Sequence, residues 1–174
     1  TQAKAELATL VAGSYTTNDL LNLVRQVDIS ATGSVTVLYS GTVNGGPAAA
    51  IAEKLALESD IRVIDKTVAA KFLQSDEFMV ALGKTRGVDP NDMLDRNFTN
   101  PVKQALLDWL YDGKTGPWAE TSGRFVDATT GKVKILTENP RTTSVLLETE
   151  LPKLLEKFTT GTGITEIEGL TREK

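Results

Sequence analysis

Apolar and polar positions alternate along the 174-residue chain with two periods, one helical and one extended. Ala3 to Val11 and Asn18 to Val27 repeat their apolar residues at helical spacing, with Thr17 or Asn18 as the N-cap of the second run. After the break at Ala31-Thr32-Gly33, the β-branched run Ser34 to Tyr39 reads as a buried strand. Ser40 to Gly46 is a Gly-rich turn, and Pro47 to Leu55 a helix with proline in its first turn. Ile61 to Asp65 is a second strand, followed by a helix from about Thr67 to Leu73. Asp76 to Tyr111 is helical, with breaks at Gly87, Pro90 and Pro101. Pro117 and Trp118 open a helix running to about Thr129, with Gly131 as its C′ residue. Lys132 to Leu136 is a third strand, Leu151 to Phe158 a helix, and Ile164 to Ile167 a fourth strand.

Strands separated by helices predict one α/β domain over residues 1–174. It is a small four-stranded, mainly parallel sheet flanked by helices, with a helical N-terminal and middle part. Ligands of open parallel sheets bind beyond the carboxyl ends of the strands. Tyr39, Ser40, Asp65, Thr137, Glu138 and Asn139 occupy those ends. An aromatic, hydroxyls and carboxylates are a suitable set for a sugar–phosphate ligand.

Composition narrows the chemistry. The 40% hydrophobic and 24% charged residues are those of an ordinary globular domain. A net charge of −4 argues against general nucleic-acid binding. No apolar run approaches the roughly 20 residues that a membrane span needs. The opening Thr1-Gln2-Ala3-Lys4-Ala5-Glu6 lacks a signal-peptide stretch and reads as a cut inside a longer polypeptide. There is no Cys and no His, which excludes disulfides, thiolate nucleophiles, the Ser-His-Asp triad and the commonest metal ligands. No metal is expected. Chemistry must rest on carboxylates, hydroxyls, amines and backbone groups, which favours reactions steered by carboxylates and positioning.

One stretch carries more information. Trp118 is followed by Ser122 and then Phe125, and the segment continues through Ala128, Gly131, Val133 and Ile135 to Leu136. After a gap come Thr149-Glu150-Leu151-Pro152-Lys153-Leu154. This resembles the ADP-ribosyl cyclase family of NAD glycohydrolases and cyclases, including bacterial toxin domains. Their pattern is W-x-x-x-S-x-x-F-A, an extended segment, then a catalytic Glu before an E-L-P-like run. Val126 stands where the family usually has Ala. Val37-Leu38-Tyr39-Ser40-Gly41 resembles the family strand ending in an aromatic and Ser, where vertebrate members carry Trp for Tyr39 and Arg for Gly41. Ile64-Asp65-Lys66-Thr67 resembles the segment that sets an acid, usually Glu, beside nicotinamide. The missing cysteines depart from the disulfide-rich extracellular members and suggest a toxin-like branch.

The resemblance implies an NAD(P)+ glycohydrolase, with cyclic ADP-ribose as a possible side product. NAD or NADP is then a substrate, and no resident cofactor is expected. Glu150 would stabilise the ribosyl cation left when neutral nicotinamide departs, Trp118 would pack on the substrate, and Asp65 would bond the nicotinamide amide. Tyr39, Ser40, Gly41 and Ser122 would line the site. The turn Asn44-Gly45-Gly46, and Arg141, Thr142, Thr143 and Ser144, offer donors for the diphosphate. Arg141 or Arg124 would replace the missing family Arg. Toxin analogy adds secretion or delivery into a target-cell cytoplasm and a cognate immunity protein.

Plain structural roles fit the same residues. Glu150 also suits the first turn of a helix, Trp118 and Tyr39 a core, Ser122 a helix surface, and Asp65 a turn. Glu148-Thr149-Glu150 spells the E-x-E of an ADP-ribosyltransferase, and a non-enzymatic module binding a nucleotide or protein is the third reading.

Overall fold

The structure is a computed structural model that describes residues 2–40, 42–43, 46–137, 143–167 and 170–171. Two helices lead: α1 (Gln2–Val11) and α2 (Thr17–Val24). The α2 N-cap is Thr16, one residue before the expected positions, because Asp19 completes a reciprocal capping box with it. The helix stops at Val24, short of the expected Val27. There Arg124 donates to the Val24 and Val27 carbonyls at 3.1 and 2.7 Å, satisfying groups that a further turn would have used.

The central strand β1 (Val35–Tyr39) is followed by a short antiparallel pair, β2 (Thr42–Val43) and β3 (Gly46–Pro47). Helix α3 (Ala48–Leu55) then takes Pro47 as its N-cap residue, so the proline lies just outside the first turn. Strand β4 (Ile61–Val63) ends two residues before Asp65, where Ile64–Lys66 turn as a 3-10 helix. Lys66 Nζ holds this corner by donating to the carbonyls of Glu58 and Ile61.

The middle is helical and breaks at the expected glycine and prolines. It comprises α4 (Val68–Leu73), α5 (Asp76–Lys84), α6 (Pro90–Leu94) and α7 (Pro101–Leu110). Thr67, Ser75, Asp89 and Asn100 cap them in turn. Helix α8 (Pro117–Asp127) precedes strand β5 (Gly131–Leu136). Gly131 has φ +81° but is the first strand residue, not the C′ residue of α8, whose C-cap is Ala128. Lys157 closes α8 instead, donating to the carbonyls of Val126, Asp127 and Thr129.

A π-helical turn over Leu146–Glu150 runs directly into α9 (Leu151–Thr160). Pro152 accounts for the widening. It has no N–H to give the Glu148 carbonyl and its ring crowds that group, so the preceding Leu151 N–H reaches back to Leu146. Strands β6 (Ile164–Ile167) and β7 (Leu170–Thr171) finish the described chain.

The sheet order is β4-β1-β5-β6-β7. The first four strands are parallel, as expected, and β7 adds an antiparallel edge. Val37 lies between Val63 and Lys134 in register. Leu38, Ile64, Val133 and Ile164 join Phe125 of α8 and Leu154 of α9 in one core. Val37 and Val63 alternate to the opposite face, where α3 packs on β1 and β4. A second core holds α1, α2 and α4–α7 together through Leu20, Val24, Phe72, Phe78, Leu82 and Leu110. Trp118 touches both cores and so sits at their junction. No described helix is long and apolar enough to cross a membrane.

Candidate functional site

A cavity of about 730 Å3 opens at the carboxyl ends of β1 and β4, large enough for much of a nucleotide. One wall is the end of β1, with Leu38, Tyr39 and Ser40. The opposite wall is the first two turns of α8, where Trp118 and Ser122 lie one helical turn apart on one face. Thr143 and Ser144 and the π-turn residues Leu146, Glu148 and Glu150 form the third side. The fourth is the end of α7 and its turn: Asp108, Tyr111, Asp112 and Gly113.

Two close approaches build these walls. A Cβ on Gly113 would lie 2.1 Å from the Thr143 carbonyl oxygen, so only glycine lets the Thr143–Ser144 strand of wall reach the α7–α8 turn. Thr149 Oγ1 donates to the Gly113 carbonyl at 2.6 Å and fixes the π-turn to the same corner. Ser144 starts that turn, its Oγ accepting from Leu147 N.

Glu150 is the deepest carboxyl. It is 5% exposed, borders the cavity, and makes no hydrogen bond or ion pair with a described residue. Burial pushes its pKa up to about 8, because a carboxylate here loses its hydration without gaining a partner. Glu148 is half-buried at the rim. Tyr39 donates its hydroxyl to Asp65 at 2.6 Å. Burial first, then the bond and charge of Asp65 and the nearby charges of Glu150 and Glu53, hold that phenol far above its ordinary range. It stays protonated and acts as a donor. Trp118 stacks on Tyr111 with ring centroids 6.3 Å apart and planes 18° from parallel. Its Nε1–H is buried and makes no well-formed hydrogen bond, although the Tyr111 hydroxyl feels it as a weak donor against the upward push of burial. Ser122 is 4% exposed and bonds no described residue.

Of the residues expected from the sequence, Glu150, Trp118, Tyr39, Ser40, Ser122, Thr143 and Ser144 meet around this one cavity. Asp65 does not border it. It accepts the hydrogen bond of Tyr39, which does border the cavity. Arg124 is a correction: its guanidinium is spent on the α2 carbonyls and it does not line the cavity. Gly41, Asn44, Gly45, Glu138, Asn139, Arg141 and Thr142 lie outside the described residues. Thr137 keeps its place after β5 with a buried, unpaired Oγ1. Among the described residues no group of carboxylates is arranged to hold a metal ion.

The sequence reading missed Tyr111, Asp108, Asp112 and Gly113. Their signal was present in Tyr111-Asp112-Gly113, an aromatic followed by an Asp-Gly turn just before the Trp118 helix. Fold and site together define an α/β protein with an acidic, aromatic cleft at the carboxyl edge of a parallel sheet. Comparison with protein-family models, curated proteins and solved structures finds no match for the chain.

Proposed function

We propose that the chain is an NAD(P)+ glycohydrolase of the ADP-ribosyl cyclase kind. The observation that carries this reading is the convergence of Glu150, Trp118 and Ser122 on one cavity with the Tyr39 wall. Trp118 and Ser122 come from α8, Glu150 from the π-turn and Tyr39 from β1, and the sequence resemblance links the same residues.

The nicotinamide ring packs against Trp118, beside the stacked Tyr111, and the ribose lies over Glu150. The C1′–N1 bond breaks with its electron pair going to the ring nitrogen, so nicotinamide leaves neutral and needs no general acid. The ribosyl cation is stabilised by the Glu150 carboxylate, whose charge is strengthened by the same burial that makes it costly. Water adds to C1′, loses a proton, and gives ADP-ribose; attack by the adenine instead gives the cyclic product. Ser122, Ser40 and Ser144 are the donors for ribose hydroxyls and phosphate oxygens. The positive ring also draws the proton off Glu150, since a neighbouring cation favours the charged carboxylate.

A transferase reading is favoured by one observation: Glu148 and Glu150, the E-x-E pair, both border the cavity. The Arg that such enzymes carry on a strand has its counterpart in Arg62 of β4. That side chain is enclosed against Phe125, with 3.8 Å from guanidinium to ring centroid, and bonded to Thr129, so it offers nothing to the cavity. Chromatography of NAD+ after incubation, with intact-protein mass, tests the choice. Free nicotinamide with ADP-ribose supports hydrolysis, a mass gain on protein supports transfer, and unchanged NAD+ refutes both. Action as a secreted or delivered toxin with an immunity protein belongs to the same proposal.

A further inference from the structure

Among the described residues, the charge lining the cavity is one-sided. Asp108, Asp112, Glu148 and Glu150 border it, and no described lysine or arginine does. None of these four carboxylates joins a described ion pair; the pairs are Lys4–Glu77, Arg25–Glu120, Lys132–Glu166 and Lys153–Asp127. Asp112 is firmly ionised, because the Thr115 and Lys114 amides and the Thr115 hydroxyl bond its carboxylate and hold its pKa down.

Several cations of the surrounding elements are committed elsewhere, while Lys114 lies near enough to Asp112 for its charge to help hold that carboxyl's pKa down. Lys66, Lys103, Arg124 and Lys157 all donate to main-chain carbonyls at the ends of helices and turns. Independently of the acidic rim, the floor of the cavity holds a carboxyl that is 5% exposed and unpartnered among the described residues. Beside it is a pair of stacked aromatic rings. A buried, unpaired acid beside aromatic faces is the environment that recognises a flat organic cation.

We infer that the cavity is cation-selective: it takes the pyridinium ring by its positive charge and discriminates against added phosphate, so that NAD+ is cleaved in preference to NADP+. This rests on the proposed glycohydrolase reading for its substrate and on the acidic lining for its direction. The extra phosphate of NADP+ adds about two negative charges to a ligand that already enters a negative cleft. Clefts lined by one sign of charge change the local concentration of charged ligands on the order of ten-fold or more.

Two measurements on the whole chain separate the inference from the reading beneath it. Tryptophan fluorescence titrations compare N1-methylnicotinamide, a cation, with neutral nicotinamide, which has nearly the same shape. The cation is expected to bind at least about ten-fold more tightly, with the advantage shrinking as salt rises and screening grows. Glu148→Gln is expected to reduce it. In turnover assays kcat/KM for NAD+ is expected to exceed that for NADP+ by about ten-fold at low salt, again narrowing with salt. Equal binding of the cation and the neutral ring, or equal cleavage of NAD+ and NADP+, overturns the inference and leaves the glycohydrolase reading intact. Selective cation binding with no nicotinamide released from either dinucleotide refutes the glycohydrolase reading and upholds the cavity's selectivity.

Discussion

Replacing Glu150 by glutamine separates the two consequences of burying this carboxyl. The folded chain holds the Glu150 proton until about pH 8, whereas an unfolded chain releases it near the ordinary 4.5. Across that window the folded state binds more protons than the unfolded state. Stability therefore falls as pH rises from 4.5 towards 8, and levels off above. At about 1.4 kcal/mol per pH unit the burden is about 3 kcal/mol at pH 7 and larger at pH 8. Glutamine has nearly the same shape and no charge, but its amide is also buried without a partner, which returns about 1–3 kcal/mol. The net expectation is that Glu150→Gln stabilises the chain by about 1–3 kcal/mol near pH 8 and destabilises it by about 0–2 kcal/mol at pH 5, where the glutamate burden has nearly gone and the cost of the buried amide remains. Each kcal/mol shifts Tm by about 2–4 °C in a chain of this size.

The same substitution is expected to cost about 10²–10³ in turnover, because the charge opposite the ribosyl cation is gone. For the unaltered chain, kcat/KM is expected to rise with pH through about 8 as the carboxylate forms. The kcat profile, which reports the complex, bends at lower pH because the bound pyridinium favours ionisation. Calorimetric or dichroism melts at pH 5 and 8, beside nicotinamide release, check both halves. A variant that melts no higher than wild type at pH 8, or that retains most turnover, refutes the reasoning.

Other substitutions read other walls. Trp118→Ala removes the aromatic face and is expected to lower kcat/KM by about 1–3 kcal/mol worth of stacking, checked by steady-state kinetics on NAD+ with a dichroism control for folding. Tyr39→Phe removes the hydrogen bond to Asp65, and Asp65→Asn takes the charge from its acceptor. Each is expected to alter the ratio of cyclic product to ADP-ribose more than the total rate, and the double variant to do little more than either alone; product chromatography decides. Gly113→Ala drives a Cβ to 2.1 Å from the Thr143 carbonyl. It is expected to push the Thr143–Ser144 wall away, lowering both activity and melting temperature, whereas alanine at open Gly87, which is strained by its φ of +70° but far from the cavity, lowers stability alone.

The sheet was legible because its strands announce themselves locally. Val35-Thr36-Val37-Leu38-Tyr39 and Lys132-Val133-Lys134-Ile135-Leu136 are short β-branched runs between turn residues, and both are parallel neighbours in the fold. Helix ends were less legible, because distant side chains set them. Nothing near Val24 foretells that Arg124, a hundred residues away, will take its carbonyl. The π-turn was hidden for the opposite reason. Its cause, Pro152, is local, but a proline in a first helical turn ordinarily signals only a helix start.

For the cavity, residues with a motif spacing came out together: Trp118, Ser122 and Glu150. Residues that enter through the α7–α8 turn, Tyr111 and Asp112 above all, have no spacing that ties them to Glu150. The Gly113–Thr143 approach and the Thr149–Gly113 hydrogen bond bring them there. Arg124 shows the converse hazard. Charge type and proximity in sequence suggested a phosphate ligand, and helix termination claimed the side chain instead.

The central claim, that this cavity cleaves the nicotinamide–ribose bond through Glu150, meets its most direct test in a time course of nicotinamide release from NAD+. Wild type and Glu150→Gln are followed side by side at pH 8, with ADP-ribose quantified in the same samples. The expected result is equimolar nicotinamide and ADP-ribose from wild type and a rate lower by about 10²–10³ in the folded variant. Equal rates from the two proteins, or NAD+ left intact by both, contradict it.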